Sequence, residues 1–165
     1  MKYLGILFVI LCSVGCQKKI ETLTKEHYKN GAEKLTITYM GDTTHLVSAT
    51  TFYPSGKLFM KVVYQENGSL PLSEEYFYEN GEIKQVGTYM GEQRAGTWKA
   101  FFPTGQLQSM RNYNDQGKEE GIYEVYKLEG DYYYPYIRGF FSNGEKRGTW
   151  KFFNRDGDTI KTVNH

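Results

Sequence analysis

The sequence predicts an all-β protein, a tandem array of β-hairpins laid side by side as one elongated, twisted antiparallel sheet. Three observations predict it. A glycine-bearing turn recurs along the chain, aromatic rings keep phase with that turn, and the segments after it alternate strictly between apolar and polar residues. Composition points the same way, with 15 Tyr, 10 Phe and 18 Gly among 165 residues. Rings pack well on a pleated surface, and Gly reaches the positive φ that tight turns demand.

The N-terminal element is a separate object. Lys2 is followed by an apolar run from Tyr3 to Val14, shorter than the ~20 residues that span a bilayer, so residues 1–15 read as a signal peptide. The run ends in Ser13-Val14-Gly15-Cys16, which resembles the lipobox of bacterial lipoproteins, although Ser13 stands where that family usually has Leu. The resemblance implies that Cys16 becomes the mature N-terminus and carries the lipid, palmitate included. Residues 16–27, with Lys18, Lys19 and Lys25, then read as the lipidated Cys and a polar tether. Gln17 replaces the Asp that retains some lipoproteins at the inner membrane, which favours the outer membrane of the cell envelope. On this reading Cys12 leaves with the signal and Cys16 is acylated, so no Cys remains for a disulfide or a thiolate metal site. Without Lys2, 19 basic side chains balance 19 acidic ones. That balance excludes nucleic acid as an expected partner and electrostatic steering as a design.

The repeat domain is expected over residues 28–165. Its turn glycines are Gly31, Gly56, Gly81, Gly105, Gly130 and Gly157, spaced 25, 25, 24, 25 and 27 residues apart. Four positions before them stand His27, Phe52, Phe77, Phe101, Tyr126 and Phe153. Eight after the first four stand Tyr39, Tyr64, Tyr89 and Tyr113, while in the fifth unit the ring comes later, at Phe140. A second phrase appears in three units, as Gly96-Thr97-Trp98-Lys99, Gly121-Ile122-Tyr123-Glu124 and Gly148-Thr149-Trp150-Lys151. Asn-Gly and Asp-Gly between apolar runs predict type I′ turns, in which both central residues take positive φ. After the turns, Leu35, Ile37 and Tyr39, then Leu58, Met60, Val62 and Tyr64, alternate with polar residues and so share one face of a strand. Each unit is thus two strands and two turns. A lone hairpin is only marginally stable in water, so the units must stack and touch only their neighbours.

These phrases resemble the variant MORN-repeat family, often labelled YwqK-family antitoxin. Trp98 through Leu107, with Phe101, Phe102 and Gly105, matches its signature, and Phe52 through Tyr64 matches the second half. The resemblance covers roughly residues 28 to 160 and implies a hairpin-repeat fold and a scaffold that docks proteins or lipids; the label implies an antitoxin. The Gly130 unit departs from the pattern, with Glu-Gly in place of Asn-Gly and two extra residues in Tyr132-Tyr133-Tyr134-Pro135-Tyr136. The first unit lacks the Trp phrase, and its Gly41-Asp42-Thr43-Thr44-His45 reads as a looser hairpin.

No catalytic, metal-binding or cofactor residue is expected. The chain has no Gly-x-Ser-x-Gly elbow, Walker loop or His-Glu-x-x-His, and His27, His45 and His165 are isolated in sequence. Asn154 to Asp158 resembles the start of a Ca²⁺ loop, but the final Glu is missing and turn chemistry explains it. Trp98 and Trp150 invite a ligand-stacking reading. Their shared repeat position instead favours packing. Tyr132, Tyr133, Tyr134 and Tyr136 are the candidate partner-binding residues, because an insertion in one unit often marks a binding loop and Tyr is enriched at interaction hot spots. The opposing reading is that the tract continues a strand or caps the array. The functional expectation is a non-enzymatic envelope lipoprotein that binds a protein partner through its repeats. An antitoxin-like or immunity-like inhibitor is the alternative, followed by a carbohydrate-binding accessory protein.

Overall fold

The computed structural model describes residues 19–41 and 44–165; Cys16 and the signal segment lie outside the described residues. Twelve strands form, and none of the described residues is helical. They are β1 (Ile20–His27), β2 (Glu33–Met40), β3 (Leu46–Phe52), β4 (Leu58–Tyr64), β5 (Pro71–Phe77) and β6 (Ile83–Met90). The second half holds β7 (Gln93–Phe101), β8 (Leu107–Tyr113), β9 (Gly121–Glu129), β10 (Tyr132–Ser142), β11 (Glu145–Phe153) and β12 (Thr159–Asn164). Their order in the sheet is their order in the chain, every pair is antiparallel, and the backbone of each strand packs only against its sequence neighbours. At about 4.8 Å per strand, the open sheet is roughly 55 Å wide. The all-β hairpin array predicted from the repeat is the fold.

The register defines two faces. One row of paired residues runs Leu35, Thr51, Met60, Tyr76, Gln85, Ala100, Ser109, Val125, Ile137, Phe152, Lys161. The adjacent residue on each strand lies in a second row: Thr36, Thr50, Lys61, Glu75, Val86, Lys99, Met110, Glu124, Arg138, Lys151, Thr162. Neighbours along a strand point to opposite sides, so the first row marks face A and the second face B. Face A is apolar and aromatic; face B is Thr-rich at β1–β3 and mixed with charge beyond. No second layer covers either face among the described residues. Burial is correspondingly thin: Ala95, Trp98, Tyr134, Trp150, Thr36 and Ser48 are buried, and no side chain is completely enclosed.

The turns differ from expectation. In the loops 28–32, 53–57, 78–82, 102–106 and 154–158 the first residue's N–H donates to the fifth residue's C=O, and the Gly N–H donates to the first residue's C=O. Gly31, Gly56, Gly81, Gly105 and Gly157 have positive φ, but the residue before each does not. This is a tight turn followed by one left-handed glycine, with a bulge, instead of the type I′ turn. The expected I′ pattern occurs at Asn143-Gly144 (φ 52° and 86°), between β10 and β11. Gly130 is not a sixth copy of the five-residue turn. It opens the two-residue loop Gly130-Asp131 (φ 62°), where Glu129 pairs with Tyr132. The two extra residues lengthen the ladder, so no wider loop forms.

The expected tether also gives way. Residues 20–27 form β1, with Leu23 paired to Ile37 and Thr22 to Thr38, and the Thr22 and Thr38 hydroxyls lie 2.9 Å apart. Glu21, Lys25 and Glu26 obscure the alternation in sequence. An edge strand tolerates such charges because one side of it meets only solvent.

Candidate interaction surface

Trp98 and Trp150 stand on face A of β7 and β11, each laid across a glycine of the preceding strand. A Cβ on Gly87 or Gly139 would lie 2.1 Å from Cδ2 of Trp98 or 2.3 Å from Cδ2 of Trp150, far closer than van der Waals contact allows. Those glycines keep ordinary negative φ, so what they supply is room. Only 4% of Trp98 and 3% of Trp150 is exposed. Tyr89 meets the Trp98 ring edge-on at 5.2 Å, and Phe141 meets Trp150 the same way at 5.1 Å. The Trp98 indole N–H donates to the Thr88 carbonyl at 3.0 Å.

Cations lie over these rings. The Arg94 guanidinium sits 4.0 Å from the Trp98 centroid, Arg111 5.1 Å from Tyr123, and the Lys146 ammonium 4.6 Å from Trp150. Burial opposes the Arg111 charge, but Tyr123, Tyr113 and Glu119 together hold its pKa above the ordinary value. Burial, reinforced by Glu74, pushes the Tyr76 and Tyr89 phenols up, and Tyr89 donates to Glu74 at 3.0 Å.

The tyrosine tract is the first half of β10, divided between the faces. Tyr133 stacks on Tyr126 at 5.3 Å, nearly parallel, and its hydroxyl donates to the Leu107 carbonyl at 2.9 Å. Tyr134 is buried. Tyr136 lies under the Lys127 ammonium at 4.0 Å and against Phe152. Tyr132, at the hairpin tip, remains 57% exposed, with Arg155 5.0 Å from its ring. Two of the four candidates are therefore committed to face A, Tyr133 brackets β8 to β10, and Tyr132 is the outermost.

Neither a second apolar surface nor a ladder of tyrosines was expected from the sequence. On β9–β11 the paired residues Ile122 and Phe140 are both exposed. They flank a shallow depression of about 440 Å³ walled by Arg138, Lys151 and Phe153. Along one end of the sheet, Tyr28, Tyr53 and Tyr78 donate to the carbonyls of Phe52, Phe77 and Phe101, each at 2.8 Å. These bonds tie each hairpin to the next. The 25-residue spacing of the three tyrosines was a usable signal, as was the shared 11-residue step from Gly87 to Trp98 and from Gly139 to Trp150.

The histidines do not converge; His165 packs 6.0 Å from Trp150. No group of three His, Cys, Asp or Glu among the described residues is placed to hold a metal ion. In the 154–158 turn the Asn154 carboxamide oxygen accepts from the Asp156 and Asp158 N–H groups.

Such an arrangement defines a class of protein, a one-layer β-hairpin repeat whose broad faces are its available surfaces. Three segments of the chain, residues 48–66, 72–90 and 94–115, match the sequence model of the MORN repeat variant family. They coincide with the hairpins β3–β4, β5–β6 and β7–β8. No curated protein matches the chain.

Proposed function

We propose that the chain is a non-catalytic interaction module of the bacterial cell envelope, held by lipid on Cys16 and presenting its last four strands to a protein partner. The observation that carries this reading is where exposed apolar side chains collect. Of eight large exposed hydrophobics among the described residues, Ile122, Tyr132, Tyr133, Phe140 and Ile160 belong to β9–β12. Scattered exposure needs no explanation, but Ile122 and Phe140 are paired and rimmed by Arg138 and Lys151, and a contiguous apolar patch with a polar rim marks an interaction site. The repeat-family match supports the same class, since MORN repeats suggest a protein-interaction module. A photo-crosslinking residue at Phe140 should capture a discrete envelope protein in cells, and the same residue at Thr50 should not. Equal capture at both positions, or none at Phe140, would refute the assignment. Cys16→Ser should release the chain from membranes and abolish labelling by a palmitate analogue. A variant that stays membrane-bound removes the anchor from the proposal.

A further inference from the structure

Face A carries cations at a regular interval over its second half. Trp98, Tyr123 and Trp150 stand on β7, β9 and β11, and Arg94, Arg111 and Lys146 cap them in turn. Alternate strands lie about 10 Å apart, so the caps repeat at about that step. Lys127 over Tyr136 and Lys161 over Phe152 add two more capped rings. The carboxylates beside this row are Glu119, 3.2 Å from Arg111, Glu129, 3.5 Å from Lys127, and Glu74, which accepts from Tyr89 close to Arg94. Arg94, Lys146 and Lys161 form no ion pair among the described residues, although the whole chain has a formal charge of only +1. Face B also carries cations, among them Lys99, Arg138 and Lys151, but these do not sit in a row over aromatic rings as the face A caps do.

Relief accompanies the charge. Two depressions adjoin Arg111. One, of about 270 Å³, is lined by Arg94, Gln85 and the small residues Ala100 and Ser109. The other, of about 210 Å³, is lined by Lys146, Ile137 and Phe141. A cation resting on a ring has already lost part of its side-chain freedom, so pairing it costs less ordering entropy.

We infer that this row is a docking track for an acidic protein segment, a polyproline-II stretch with a carboxylate at every third residue, so that all of them fall on one side. Three residues of that helix cover about 9 Å, close to the interval between caps, so successive carboxylates meet successive cations while intervening side chains enter the depressions. Lipid phosphate fits less well. Trp98 and Trp150 are buried beneath their caps and offer no exposed wedge to a bilayer. The inference stands on face A and is independent of both the Cys16 anchor and the Ile122–Phe140 surface.

The test uses the full-length chain in a neutral detergent and a fluorescein-labelled (Glu-Ser-Gly)₄ peptide, read by anisotropy. Saturable binding that weakens with salt is expected, with none for (Lys-Ser-Gly)₄. Replacing three cations, each with an exposed-pair energy, should weaken binding about tenfold, as read in Arg94→Gln/Arg111→Gln/Lys146→Gln. The face B variant Lys99→Gln/Arg138→Gln/Lys151→Gln loses the same charge and should bind as the parent does. Absence of binding, or equal loss in the two triple variants, overturns the proposal. So does displacement of the peptide by sn-glycerol 3-phosphate, which would mark a lipid-headgroup site. Should the face A triple lose its β spectrum, Lys146→Glu alone is read by the same comparison, with Lys151→Glu as its control.

Discussion

The glycine beneath each tryptophan explains how a one-layer sheet buries so large a ring. An indole on a flat strand would stand in solvent on both faces. Laid over Gly87, it contacts backbone on one face and the Arg94 guanidinium on the other. Trp98→Ala should cost about 3–5 kcal/mol, and Gly87→Ala about 1–3 kcal/mol because the ring must shift. The double variant should cost less than the sum, since removal of the indole vacates the space that the methyl needs. Thermal melts of the three variants decide it, and strict additivity would mean that the two residues do not share one slot. Tyr76 and Tyr89 make a second prediction at this scale. Their folded pKa values are raised, by burial first and Glu74 next, so their contribution is complete below the unfolded value of about 10. It is lost as pH rises through the folded pKa. Melting temperature should fall above about pH 10 in the parent, and less steeply in Tyr76→Phe/Tyr89→Phe.

The β9–β10 hairpin shows what sequence periodicity conveys and what it leaves out. Two extra residues signalled a departure at Tyr132 to Tyr136, but periodicity could not distinguish a wider loop from a longer ladder. The choice depends on backbone conformation, and Gly130 opens a two-residue loop where the turns at Gly31, Gly56, Gly81, Gly105 and Gly157 use five. The consequence is testable. Tyr134, buried on face A, should destabilise strongly when changed to Ala, whereas Tyr132→Ala at the tip should leave the melt within about 0.5 kcal/mol of the parent. Similar losses in both would mean that the tip is also packed. The same limit applies to β1, where Glu21, Lys25 and Glu26 made a strand resemble a tether. Strand order and the shared repeat position of Trp98 and Trp150 were legible because they recur. The cation caps were not, because Arg94, Arg111 and Lys146 meet their rings only through register and bulges.

Across the whole molecule, backbone pairing between neighbours alone makes the array divisible. Stability should be close to a sum of hairpin and interface terms. Removing residues 57–81 joins Gly56 to Glu82 and restores a glycine turn followed by Ile83, an in-phase loss of one unit. That variant should fold with an unchanged β spectrum and a lower midpoint in urea. Removing residues 57–69 instead brings Pro71 directly behind the Gly56 turn and shifts every later turn to the opposite end relative to β3. It should fail to give a cooperative transition. If the two deletions behave alike, the hairpin is not the unit of stability.

Strand order equal to chain order also determines how the sheet answers a mechanical load. Pulled at its two termini, the array carries force through an outermost strand that is bonded to one neighbour only. Its hydrogen bonds then break in succession, as in a zipper, with no shear of a whole strand at once. Each hairpin of about 25 residues should release roughly 85 Å of chain as it peels. A force–extension record should show a series of low, evenly spaced steps. A single high peak would require contacts between distant strands. Held at one end and loaded at the other, such a sheet lengthens one hairpin at a time while the remainder keeps its surfaces.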